Sequence, residues 1–136
     1  MPIAVEWIVR DRVILSSLTG KVTKTEFESW LESQRYMIEL GEPLIHHITD
    51  TRQIDRLVIP PQKLQKMVRS LPRTPNCGWY VVVSSALQKN RVSSLMTQLS
   101  SIQINHTDTL DHAIEFLKEE DETLRDIGWR VPLLVG

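Results

Sequence analysis

The sequence predicts an α/β fold, a mixed and mostly parallel sheet whose elements run β-β-α-β-α-β-α-β-α. Three observations carry that expectation. Two β-rich runs, Ile3 to Val9 and Arg12 to Leu18, are separated only by Arg10-Asp11, which is hairpin spacing. Further along, apolar stripes of helical period alternate with short, near-continuous apolar runs, the pattern of parallel strands covered on both faces. Capping and breaking residues punctuate the junctions.

In order, the second strand is expected to close at Thr19-Gly20. Thr23 and Glu26 then have capping-box spacing, and Phe27, Trp30, Leu31, Met37 and Ile38 give the first helix its apolar face. Gly41 suits a left-handed C-cap and Pro43 blocks continuation. The stretch Leu44 to Ile54, LIHHITDTRQI, reads as a buried central strand that ends abruptly at Asp50 and delivers a polar loop, Asp50-Thr51-Arg52, at its carboxyl end. A loop or ragged extension leads from there to Pro60-Pro61. A second helix follows, with the stripe Leu64, Met67, Val68 and Leu71. Cys77 to Val83 is a strand, about Leu87 to Ser100 a helix, and Ser101 to Asn105 a short strand. Thr109 caps a final helix with the stripe Leu110, Ala113, Ile114 and Leu117. Right-handed crossovers would bring the strand ends at Asp50, Ser84 and Asn105 to one rim, where α/β sheets tend to hold their sites.

At 136 residues the chain is read as one domain, spanning 1–136, with a core over about 3–120 and an apolar tail over 121–136. The formal net charge of -1 provides no global field for nucleic acid or an acidic membrane. No apolar run approaches the ~20 residues of a membrane span, and the amino-terminal stretch has no signal-like core. A cytoplasmic protein is expected. Cys77 is the lone cysteine, which excludes an internal disulfide and a cysteine-rich zinc site.

Several features together resemble the SpoIIAA-like branch of the STAS/Sec14-type domains. They are Leu18-Thr19-Gly20 before a Thr-capped helix, the HHITD strand ending at Asp50, and the WYVVV strand ending at Ser84. A final helix carrying Asp111, Ala113, Phe116 and Leu117 completes the set. The resemblance spans about residues 3 to 120. It implies a sheet of four or five strands, helices mainly on one face, and a non-enzymatic regulatory or protein-interaction role. In anti-sigma antagonists the strand matching Leu44 to Asp50 leads into an Asp-Ser-Ser/Thr-Gly-type turn whose serine is phosphorylated. Here Thr51 matches a hydroxyl position, but the second hydroxyl and the glycine are absent and Arg52 stands in their place. The position carries over; the activity does not.

Asp50, Thr51 and Arg52 therefore form the first candidate site, a switch or interaction corner. Phosphorylation of Thr51 would add about −1.5 to −2 charge. The plainer reading is a turn in which Asp50 accepts backbone N–H groups. Lys63, Lys66, Arg69 and Arg73 form a basic stripe on the second predicted helix, either a docking face or a solvated one. That stripe has no interleaved aromatics, so nucleic acid is not expected. The stretch from Asp50 to Arg91 holds eight basic and two acidic residues, whereas Asp108 to Asp126 holds eight acidic and two basic. Trp30, Met37, Met67 and Trp79 are candidates to line an apolar pocket between sheet and helices, the mark of a small-ligand or lipid carrier; otherwise they fill the core.

Catalytic and metal chemistry find little support. His46 and His47 are adjacent, so on a strand they point to opposite faces and cannot chelate one ion together. The serines lack a Gly-x-Ser-x-Gly elbow, and no phosphate-binding glycine loop is present. No metal and no cofactor are expected. The apolar tail around Ile127, Trp129, Val131, Leu133 and Leu134 would pack back on its own sheet or cross to a second subunit, and homodimerisation is expected.

Overall fold

The computed structural model describes residues 3–60, 62, 63, 66, 69, 77–85 and 103–130. Five strands form one sheet in sequential order: β1 Ile3–Val9, β2 Val13–Thr23, β3 Ile45–Val58, β4 Cys77–Val83 and β5 Ile104–Thr107. β1 pairs antiparallel with β2, and every other pairing is parallel. Helix α1 (Lys24–Leu40) links β2 to β3, while α2 (Leu110–Glu120) and a short 3-10 turn (Glu122–Leu124) follow β5. The mixed, mostly parallel sheet is the one expected. The third predicted helix lies outside the described residues. Of the second, Gln62, Lys63, Lys66 and Arg69 are described; they are helical and exposed.

Local chemistry explains the junctions. The capping box forms as read: the Thr23 hydroxyl accepts the Glu26 N–H at 3.4 Å, and the Glu26 carboxylate accepts the Thr23 N–H at 3.1 Å. Thr109 caps α2 by accepting the His112 N–H at 3.1 Å. The β1–β2 turn takes in Arg12 as well as Arg10-Asp11, with the Arg12 N–H on the Val9 carbonyl at 3.0 Å. Asp11 sits at φ 63°, a left-handed conformation that Asp tolerates better than most residues.

Three local expectations change. β2 does not close at Thr19-Gly20. Gly20, at φ 64°, absorbs a register shift and the strand runs on to Thr23. Gly41 is not a left-handed cap, since its φ of −87° and ψ of −178° are extended. A Cβ there would lie 2.7 Å from Ile45 Cδ1 and 2.9 Å from the Asp11 carbonyl oxygen, so close packing is what requires glycine. β3 does not stop at Asp50. The lengthened β2 supplies a partner for its extension, with Thr19 opposite Gln53 and Thr23 opposite Val58.

Strand alternation sorts the core onto two faces. On one face Ile14, Leu18, Val22 and Ile45 meet Phe27, Trp30, Leu31 and Ile38 of α1. On the other, Val13, Leu15, Ile48, Val81 and Val83 meet Ala113, Ile114 and Leu117 of α2. The final helix is thus an exception to the one-faced arrangement expected for the helices. The tail packs back on its own chain as far as it is described. Trp129 joins the α2-side core and donates its indole N–H to the Leu124 carbonyl at 3.0 Å, and the Arg130 N–H reaches the Ile8 carbonyl at 2.7 Å.

Candidate functional site

The carboxyl ends of the parallel strands come level as the topology predicts. Asp50 of β3 pairs with Val83 of β4, and Val83 with Thr107 of β5; Thr107, not Asn105, marks the rim. Beyond this line, among the described residues, β3 continues beside β2 alone, so Asp50-Thr51-Arg52 is a stretch of strand rather than a turn. Arg52 closes on Asp50. Its backbone N–H reaches Oδ1 at 3.1 Å, its Nε reaches the same oxygen at 3.0 Å, and its terminal nitrogen reaches Oδ2 at 2.9 Å. This is a bidentate pair held by i, i+2 spacing on one strand face. The hydrogen bond to Asp50 raises the Arg52 pKa, partly offset by burial, and Asp50 and Asp111 add to the rise through their charge.

Thr51 donates its hydroxyl to the Val83 carbonyl at 2.9 Å. That bond serves a β4 carbonyl at the point where the sheet narrows. Next along the rim, Ser84 is fully buried, its N–H on the Thr107 carbonyl at 3.1 Å and its hydroxyl hydrogen-bonded to His106 Nε2. Thr107 donates to the Thr109 carbonyl at 3.0 Å, which ties β5 to the start of α2. The Ser84–His106 pair escaped the sequence reading because it joins two strands with no motif to mark it. A buried hydroxyl is poorly placed to attack a substrate, and the arrangement fastens β4 to β5.

A second polar cluster lies at the opposite, amino-terminal rim. His46 Nε2 meets Asp121 Oδ2 at 3.0 Å, and Arg12 meets the same oxygen at 2.8 Å. His46 Nδ1 accepts the Trp79 N–H at 2.9 Å, which places the ring proton on Nε2 toward the carboxylate. Burial lowers the His46 pKa against the opposing pull of Asp121. Burial of Asp121 also opposes its charge, yet hydrogen bonds from Thr123 and His46, together with Arg12, bring its carboxyl down to about 2. A neutral imidazole therefore donates to a carboxylate, and both of its nitrogens are occupied by the fold. Asp121→Asn is expected to cost about 2 kcal/mol, since one charge-assisted acceptor shared by two donors is lost. Urea unfolding at neutral pH measures it.

The other sequence candidates scatter. Trp30 is buried beneath α1 and donates its indole N–H to Ser16 Oγ at 2.7 Å. Met37 packs at the other end of α1, against the cluster of Ile14, Ile38 and Ile45. Trp79 lies across the sheet, edge-on to Phe116 of α2 with centroids 4.9 Å apart. These residues do not line one pocket, because β4 points Trp79 away from α1; Met67 lies outside the described residues. Lys63, Lys66 and Arg69 share an exposed helical stretch, and Arg73 lies outside the described residues. Among the described residues no group of His, Cys, Asp and Glu is arranged to hold a metal ion, and no helix is long and apolar enough to cross a membrane.

Sequence reasoning also missed Gln34. It lies fully buried on the sheet-facing side of α1, and both polar atoms of its amide lack a hydrogen-bond partner among the described residues. The same holds for both ring nitrogens of buried His47, whose ring stacks on Tyr80 at 4.4 Å. An unpaired buried polar atom costs about 1–3 kcal/mol.

No protein-family model and no curated protein matches this sequence. Solved structures do. The chain is similar to a protein of the DUF3478 family with a SpoIIAA-like fold from Shewanella loihica PV-4, with a TM-score of 0.58 and 13% identity over 85% of this chain and 91% of that one. It is also similar to an anti-sigma factor antagonist from Mycobacterium paratuberculosis, with a TM-score of 0.55 and 17% identity over 85% and 92% of the two chains. The chain therefore has a SpoIIAA-like, STAS-type fold.

Proposed function

We propose that this chain is a non-catalytic regulatory module that docks a protein partner. The docking surface would run along the rim at Asp50, Thr51 and Arg52 and onto the basic helical residues Lys63, Lys66 and Arg69. One observation carries the reading: the rim's polar side chains are committed to one another and to backbone, leaving a fixed and charge-paired edge. Arg52 neutralises Asp50, Thr51 holds Val83, and Ser84 holds His106. Such an edge suits recognition better than turnover. The fold is similar to that of a protein described as an anti-sigma factor antagonist, which supports a regulatory role. Exposed lysine and arginine just beyond β3 favour a partner with an acidic face.

Thr51 as a phosphorylation switch is the more specific form of this proposal. Modification would remove the hydroxyl proton that Thr51 gives the Val83 carbonyl and place a dianion against that β4 carbonyl, loosening the rim where the sheet narrows. Homodimerisation is part of the proposal as a separate contact.

Photo-crosslinking in the source cells tests the docking surface. A crosslinker at position 51 or 63 is expected to capture one protein, and one at 122, on the far rim, is not. Capture should fall at least tenfold when Lys63, Lys66 and Arg69 are changed to Glu. An adduct of twice the chain mass reports the homodimer. Equal capture from all positions, or capture that survives charge reversal, would remove the proposed surface.

A further inference from the structure

Gln34 and His47 belong to one buried place between α1 and the sheet. One helical turn before Gln34, Trp30 donates to Ser16 of β2; one turn after it, Ile38 packs on Ile14 of β2 and Ile45 of β3. Gln34 therefore faces the sheet between Ser16 and Ile14. On the neighbouring strand, His47 stands opposite Ile14 and Thr49 opposite Ser16, so the two orphaned side chains look into the same space. Tyr80 closes it from β4 by stacking on the His47 ring.

Four buried polar atoms in this layer have no hydrogen-bond partner among the described residues: the amide oxygen and nitrogen of Gln34 and both ring nitrogens of His47. Their surroundings are otherwise satisfied. Ser16 accepts from Trp30, and Tyr80 bonds with Cys77. We propose that this space is a binding site for a small uncharged guest that bridges Gln34 and His47, taking hydrogen bonds from one and giving them to the other. An amide supplies a donor and an acceptor, and a neutral imidazole supplies one of each. The two ring nitrogens diverge, so a guest that bridges the Gln34 amide to one edge of the ring meets one of them, and it needs a donor, an acceptor and no net charge. Primary amides, alcohols and water meet that description. Burial, with His46 nearby, lowers the His47 pKa to about 3, which favours a neutral guest over an anion. The site is distinct from the rim, lies on the α1 face, and uses residues that the docking surface does not.

Nuclear magnetic resonance on the full, nitrogen-15-labelled chain tests the proposal, with water and acetamide as probes. Magnetisation transfer from water to the Gln34 side-chain amide and the His47 ring is the expected result for a water guest. A saturable acetamide-induced shift of the same signals is the result for an organic guest. In Gln34→Met, which keeps side-chain length, the His47 signals should move and either response should weaken at least tenfold. His47→Phe, which keeps the stack on Tyr80, should do the same to the Gln34 amide. Wild-type spectra lacking both responses overturn the proposal even if neither variant folds. So does a Gln34→Met spectrum in which the His47 ring is unchanged.

Discussion

Gly78→Ala is expected to destabilise the protein by about 3 kcal/mol, lowering its midpoint of thermal unfolding by roughly 10 °C. The reason is a bulge. Ile45 is opposite Cys77 and His47 opposite Tyr80, so His46 faces Gly78 and Trp79 together. A Cβ on Gly78 would lie 2.4 Å from both Cε1 and Nδ1 of His46. The ring has nowhere to go, because the Trp79 N–H holds one edge and Asp121 the other. Accommodating the methyl group means breaking at least one of those bonds in a buried setting. Gly128→Ala is the control, for nothing lies within 4 Å of its added Cβ. It should change stability by less than about 0.5 kcal/mol. Scanning calorimetry of the two variants suffices, and equal stabilities would mean that the bulge is not built around glycine.

Acidification is expected to unfold the protein through its buried histidines before its carboxylates matter. The His47 pKa is about 3 in the folded chain against an ordinary 6.5, the result of burial and then of His46. Between those values the unfolded chain holds the proton and the folded chain does not. The stabilising contribution is therefore complete above 6.5 and is lost as the pH falls toward 3. One such proton gives a slope of about 1.4 kcal/mol per pH unit, or about 3 kcal/mol between pH 6.5 and about pH 4. His46, also lowered, acts in the same direction, and Asp121, brought from 3.8 to about 2, extends the loss to lower pH. In His47→Phe the slope should flatten by one proton's worth, read from urea unfolding across that range. An unchanged slope would show that His47 does not titrate as a buried neutral group.

What could be read from the residues was local or periodic. The capping box at Thr23 and Glu26, the cap at Thr109 and the β4 run Cys77–Val83 all emerged as expected, because each depends on neighbours within about one turn or on strand periodicity. The opposite facing of His46 and His47 followed from strand alternation alone: one ring reaches Asp121 and the other stacks on Tyr80. Gly41 shows where this reasoning stops. Glycine after a helix reads as a left-handed cap, but the actual constraint is the approach of Ile45, Asp11 and Trp7 from elsewhere in the chain. The length of β3 was likewise hidden, since QIDRLV becomes strand only because β2 continues beside it to Thr23.

The stretch at Asp50-Thr51-Arg52 shows both halves of that division. By itself the sequence determined that a buried strand turns polar there and that the rim of a STAS-like sheet would receive it. Only the tertiary structure decided that Thr51 is tied to Val83, that Arg52 closes on Asp50, and that Ser84 finds His106. The same holds for His46 and Asp121, which are 75 residues apart, and for Gln34 and His47 beneath α1. Periodicity assigns each side chain to a face, but strand register and helix placement decide which side chains meet. Those depend on the packing of the whole core, which no local window contains.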